Sequence, residues 1–220
     1  MAVVEYRTPW KRLRKGLCTT WLAGLGPAAA GLGEPKPSLA PGAVVPVWVK
    51  GSELRLPEDA GRDASVPIVL VGPGTGIAPM RSLLWERRSR AAGAGNSGGG
   101  GALLFVGCRG EGDFLYRDEW AELARAGVIG GGGAVVAMSR AQGRKVYVQH
   151  KIRERGAEVW AAVEAGATVY VSGSANKMPS DVREAFVDVA ARWGAMSAAD
   201  AEDFVRKLEL RARFLVECWS

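Results

Sequence analysis

Five apolar runs spaced through the last two-thirds of the chain constrain its fold more than any other feature. They are "VPIVLVG" (66–72), "ALLFVGCR" (102–109), "AVVAMSR" (134–140), "TVYVSGS" (168–174) and "FLVECW" (214–219). A short continuous apolar run is the pattern of a strand covered on both faces. Between these runs lie segments with helical character: "PMRSLLWERRSRA", "RDEWAELARAG", "YVQHKIRERGAEVWAAVEAG", "PSDVREAFVDVAARWG" and "SAADAEDFVRKLELRAR". Pro79 suits a first helical turn. Gly156 predicts a break in the third segment, and Ser197 with Asp200 has the spacing of a helix cap. Strand and helix alternate from Ser65 onward, which predicts a parallel sheet with helices on both faces, a doubly wound α/β domain.

The first 60 residues read differently. "AVVEY" and "VVPVWVKG" look like short strands, and the Pro/Gly-rich "GPAAAGLGEPKPSLAPG" between them looks like loop. The change of rhythm predicts two domains, 1–64 and 65–220. The tracts "AGAGNSGGGG" and "GGGG" (130–133) read as expansions between elements and suggest no function.

Composition excludes several function classes. No apolar run approaches the roughly 18 residues of a membrane span, and "MAVVEYRTPWKRLRKG" lacks the layout of a secretory signal. A cytoplasmic protein with no membrane partner is the expectation. Cys18, Cys108 and Cys218 fit neither a disulfide framework nor a zinc site. The one histidine, His150, rules out a multi-histidine metal centre and reads most simply as a satisfied or solvent-facing helix residue. The net charge is +6, and the densest basic stretch is Arg7, Lys11, Arg12, Arg14 and Lys15. A solvated face explains that stretch most simply. An anionic cofactor or acidic protein comes second. Nucleic acid is not expected, because no binding motif accompanies the charge.

The first apolar run ends on Gly72, Gly74 and Gly76. In doubly wound sheets, ligands bind outside the carboxyl ends of the strands. Glycines there let backbone N–H groups approach a phosphate, and Thr75 adds a hydroxyl donor. The spacing is Gly-x-Gly-x-Gly rather than the common dinucleotide fingerprint, so a tight strand-to-helix turn explains it equally well. "MSRAQGRKVYVQ" adds weight. Ser139 and Arg140 directly follow the third strand, and Lys145, Tyr147 and Gln149 come soon after. Two cations and a hydroxyl at a strand end make a socket for a phosphate dianion. A nearby tyrosine can stack on adenine. The combination points to an adenosine 2′-phosphate, hence NADPH.

Together, "GPGTGIAP", "SR…KVYVQ", "VSGSANKMPSDV" and the final "ECWS" resemble the NADPH-binding module of the ferredoxin–NADP reductase superfamily, and more closely its diflavin branch. "RKGLCTTWL" (14–22) is similar to that branch's motif for the FAD pyrophosphate. "KVYVQHKIRE" and "KMPSDV" are nearest to the cytosolic NADPH-dependent diflavin oxidoreductases. The resemblance implies that residues 1–64 are the carboxyl-terminal remnant of an antiparallel β-barrel FAD domain. It implies that Gly16, Leu17, Cys18 and Thr19 contact FAD. It assigns Gly72, Gly74, Thr75 and Gly76 to NADPH at the glycine turn. Ser139, Arg140, Lys145, Val146, Tyr147, Val148 and Gln149 would hold the 2′-phosphate and adenine side, with Asp181 a further nucleotide contact. Trp219 would stack on the flavin ring where nicotinamide must sit. Glu217, where relatives often carry Asp, and Ser172, where many carry Cys, would lie near the hydride path. The implied acceptor chain runs through FMN, in an upstream domain, to an iron–sulfur assembly protein of the anamorsin type. The family's flavin-gripping Arg-x-Tyr-Ser-like segment also lies upstream of the pyrophosphate motif, so the chain corresponds to the carboxyl-terminal part of such a reductase.

Overall fold

The computed structural model describes residues 52–56, 66–93, 101–141 and 143–219. The five apolar runs form the five strands: β1 (Ile68–Pro73), β2 (Ala102–Cys108), β3 (Val135–Met138), β4 (Thr168–Ser174) and β5 (Phe214–Trp219). They make one sheet in the order β3-β2-β1-β4-β5, and every pairing is parallel. The helices are α1 (Ile77–Gly93), α2 (Arg117–Arg125), α3 (Val148–Glu154), α4 (Gly156–Glu164), α5 (Met178–Trp193) and α6 (Ala198–Leu210). This is a Rossmann-like, doubly wound parallel fold. The chain builds outward from β1 through β2 to β3, then returns to place β4 on the other side of β1. The sheet therefore has its switch of direction between β1 and β4, where open α/β sheets bind ligands.

The continuous apolar runs have a direct cause. Val69, Val71, Phe105, Val169 and Val171 face one side and pack with Val148, Ile152, Val159, Val182, Phe186 and Val205 of α3 to α6. Ile68, Leu70, Leu104, Val106 and Tyr170 face the other, against Ile77, Met80, Leu84, Trp120 and Leu123 of α1 and α2. Both faces are covered, so neither set can be polar.

Residues Glu53–Ser220 form one compact unit. Leu54 and Leu56 are buried against the α1/α2 side, and the buried Tyr170 hydroxyl donates to the Arg55 carbonyl oxygen at 2.7 Å. Residues on the amino-terminal side of the expected 64/65 division thus share this core. The rest of the expected FAD-barrel remnant, including Gly16, Leu17, Cys18 and Thr19, lies outside the described residues.

The helix break falls where Gly156 predicts it. α3 ends at Glu154 and α4 begins at Gly156. A Cβ at Gly156 would meet Trp193 Nε1 at 2.3 Å, so the small residue also lets α5 lie close. The Ser197 hydroxyl caps α6 by accepting the Asp200 N–H at 3.2 Å. Among the described residues, no helix is long and apolar enough to cross a membrane.

Candidate functional site

The site is built from four strand ends on the carboxyl edge of the sheet. At the end of β1, Gly74–Gly76 form a single tight 3-10 turn that feeds α1. The three glycines serve different ends. A Cβ at Gly76 would lie 1.9 Å from the Ser172 carbonyl oxygen, so this glycine exists to let the turn pack on β4. A Cβ at Gly72 would lie 2.8 Å from the Gly76 carbonyl oxygen, so it serves the turn itself. Gly74 has φ +59° and nothing within 4 Å of a Cβ position. It is required by backbone conformation and faces open space. The tight-turn explanation thus accounts for Gly72 and Gly76. Gly74 and the exposed Thr75 are the part of the turn a ligand can reach.

At the end of β3 the chain continues the ladder for two residues. The Ser139 N–H donates to the Cys108 carbonyl oxygen at 2.9 Å, and the Arg140 N–H to that of Arg109 at 2.8 Å. Arg140 is therefore held by its backbone while its side chain is exposed. Arg144 and Lys145 follow, also exposed. Elsewhere most basic side chains of this unit pair with carboxylates, as in Arg81–Glu119, Arg153–Asp188 and Arg183–Glu209. Arg140, Arg144 and Lys145 make no ion pair among the described residues. Three exposed cations without ion pairs among the described residues, close in sequence to Ser139, whose hydroxyl donates to the Cys108 carbonyl oxygen at 3.4 Å, have the charge to receive a dianionic phosphate.

The loop then enters α3. Val146 is partly buried and packs on the core. The Val148 side chain lies in the core itself, its Cγ1 placed 3.1 Å from a Cβ built on Gly107. The Val148 side chain is thus taken up by packing, and only its backbone is available to a ligand. Gln149 is buried, and its Nε2 donates to Asp181 Oδ2 at 3.0 Å. The Lys177 ammonium lies 3.7 Å from the other Asp181 oxygen. Two residues far apart in sequence, both expected at the nucleotide, therefore touch and tie the start of α3 to the start of α5.

At the ends of β4 and β5, Ser172 pairs in register with Glu217, and Ser174 with Trp219. The Ser172 side chain is buried, and its hydroxyl donates to the Glu217 carbonyl oxygen at 2.9 Å. That hydroxyl is committed to the seam between strands. The bond joins the Ser172 side chain to the β5 backbone at Glu217. The Arg213 guanidinium donates to the Val163 and Ala167 carbonyl oxygens at 2.8 and 2.9 Å, closing the end of α4 and fixing where β5 starts. Burial lowers the Arg213 pKa, with Arg211 adding to the effect. Glu217 is exposed and Trp219 half-buried. The Trp219 carbonyl oxygen accepts from the Ala175 N–H at 2.8 Å, so any movement of the indole is a side-chain rotation on a fixed backbone. Burial pushes the thiols of Cys108 and Cys218 up, which disfavours a thiolate at either.

One residue at the site was missed from sequence. His150 Nδ1 accepts the Tyr147 N–H at 2.9 Å, and the two rings stack at 5.9 Å between centroids. The signal was present in the Tyr147–x–x–His150 spacing, which places His150 at the third helical position, where a cap acceptor belongs.

A protein-family model described as "Oxidoreductase NAD-binding domain" matches residues 70–184. The chain is similar to NADPH-dependent diflavin oxidoreductase 1 of Arabidopsis thaliana, 42% identical over 226 residues, covering 100% of this chain and 33% of that protein. It is similar to NADPH–cytochrome P450 reductase of Homo sapiens, 38% identical over 222 residues, covering 99% of this chain and 30% of that protein. The Mus musculus NADPH-dependent diflavin oxidoreductase 1 is 38% identical over 222 residues, with 100% and 33% covered. The chain spans about a third of the length of these curated relatives. Matched by the family model across β1 to α5 and carrying that fold's parallel sheet, the chain belongs to the oxidoreductase NAD-binding domain family, and it is homologous to the diflavin oxidoreductases and P450 reductases.

Proposed function

We propose that this chain is the NADPH-binding module of a flavoprotein reductase. It would deliver hydride from NADPH to FAD for onward single-electron transfer through FMN to an iron–sulfur or haem protein acceptor. An iron–sulfur assembly protein of the anamorsin type, in the cytoplasm, is the acceptor we favour. The observation that carries the nucleotide part is the group of Arg140, Arg144 and Lys145, exposed and without ion pairs among the described residues, beside Ser139 at the carboxyl edge of the sheet. That donor set fits a 2′-phosphate, which NADPH has and NADH lacks. Gly74 and Thr75 would meet the pyrophosphate. Tyr147 and the Gln149–Asp181 pair would receive the adenosine. Flavin, when bound, supplies the acceptor that takes two electrons and releases them singly. This chain's contribution at that end is Trp219, held by β5 where nicotinamide would have to enter, with Glu217 two residues before it.

Trp219→Ala is the test of that contribution. An aromatic stack is worth about 0.5–1.5 kcal/mol beyond burial. Removing it from FAD-loaded protein should raise activity with NADH more than with NADPH, because the ring no longer opposes a weakly anchored nucleotide. An unchanged NADPH/NADH ratio and unchanged flavin reduction rate would make Trp219 a packing residue only.

A second reading is a module that binds NADPH and retains no FAD, so that it has no turnover of its own. Flavin absorbance of the purified chain separates the two: an absorbance band near that of bound flavin supports the reductase, and its absence with intact NADPH binding supports the second reading.

A further inference from the structure

We infer that His150 is a positioning residue for the adenine side of the nucleotide, holding Tyr147 by backbone and ring together in the pose on which a planar base stacks. The inference rests on the nucleotide site proposed above.

Tyr147 is one of the few large aromatic side chains left open among the described residues, 42% exposed, and the exposed Arg140, Ala141, Gly143, Arg144 and Lys145 precede it. A side chain so placed would ordinarily sample several rotamers, and ordering it would oppose binding. His150 supplies both restraints. Nδ1 accepts the Tyr147 N–H at 2.9 Å, which fixes the backbone at the helix entrance. The imidazole lies beside the phenol ring at 5.9 Å and 26°, within the offset-stacked range. The imidazole thereby restrains a ring that is still 42% exposed.

His150 is itself well held. Val148 and Ile152, two residues before and after it, are buried in the core, and the neighbouring Gln149 is bonded to Asp181 across the start of α5. The order of support runs from core to α3, from α3 to His150, and from His150 to Tyr147. A glutamine at this helix position would satisfy the cap alone. Histidine adds a flat ring, which is needed only if the orientation of Tyr147 matters.

The experiment is a calorimetric titration of the full chain with 2′,5′-ADP, which carries the adenine and the 2′-phosphate without nicotinamide. His150→Ala and Tyr147→Ala should each weaken binding about tenfold. The double variant should also lose about tenfold, because His150 acts through Tyr147 and the two effects are coupled. His150→Gln should keep the thermal stability of the wild-type chain and recover the affinity only in part. Wild-type binding with His150→Ala affinity within about twofold would overturn the positioning role, and so would losses that multiply to about a hundredfold in the double variant. Failure of the wild-type chain to bind 2′,5′-ADP would overturn the nucleotide site itself, and the inference with it.

Discussion

Arg140→Ala is expected to weaken NADPH binding between about ten- and a hundredfold while leaving NADH nearly unchanged. A hydrogen bond to a charged group is worth roughly 1.5–3 kcal/mol, and 1.4 kcal/mol is tenfold in affinity. The effect should be selective because of how Arg140 is held. Its backbone N–H is fixed to the Arg109 carbonyl oxygen and its guanidinium is exposed without an ion pair among the described residues. Removing it breaks no internal bridge, so the fold and the rest of the site should be untouched. Arg140→Lys should recover part of the loss, since an ammonium keeps the charge and loses the planar fork. Added salt should narrow the wild-type preference, because exposed charges are screened. Dissociation constants for both nucleotides, measured on both proteins, are the check. Equal losses for NADPH and NADH would remove the 2′-phosphate assignment.

Gly76→Ala should have the largest effect on stability. The added Cβ would sit 1.9 Å from the Ser172 carbonyl oxygen, 2.5 Å from its carbonyl carbon and 3.0 Å from Gly173 Cα. All three are backbone atoms of β4, which is bonded on both sides, to β1 and to β5. No side chain can swing aside, so the turn and the strand must part. Overpacking of this kind costs about 3 kcal/mol or more. In a domain of this size that lowers the melting temperature by roughly 10 °C. Gly74→Ala is the matched control two residues earlier. Its Cβ meets nothing within 4 Å, and only the left-handed backbone resists it, at about 1–2 kcal/mol. Gly74→Ala and the bulkier Gly74→Val should therefore retain the circular dichroism of the wild-type chain and lose NADPH affinity, because the new side chain projects into the space the pyrophosphate needs. Thermal melts and NADPH titrations of these variants separate packing from binding. Equal melting temperatures for Gly76→Ala and Gly74→Ala would contradict the packing role of Gly76, and unaltered NADPH affinity in Gly74→Val would make the whole turn structural.

The elements of this protein are local properties and were legible as such. Each strand is a mostly apolar run such as "TVYVSGS", whose central Val169, Tyr170 and Val171 are covered on both faces, and the observed β4 spans the same seven residues, Thr168–Ser174. Gly156 and Ser197 act within a few residues of themselves, so the helix break and the α6 cap could be read directly. The cation cluster after β3 was readable too, because Ser139, Arg140 and Lys145 are close in sequence and need only a strand before them to reach the sheet edge.

Contacts between distant segments were decided only by the tertiary structure. Nothing near Gly76 in sequence reveals that it lies against Ser172, since the parallel pairing of β1 with β4 creates that contact across nearly a hundred residues of chain. The same holds for the Ser172 hydroxyl, expected near the hydride path and bonded to the β5 backbone. It holds for Val148, whose place in a loop motif concealed a core side chain, and for Gln149 and Asp181, which look like two separate ligands and form one bonded pair. A side chain's type is written in the sequence. Whether its polar atom is offered to a ligand or consumed by a neighbour depends on which strand is folded beside it, and that is a property of the sheet order β3-β2-β1-β4-β5.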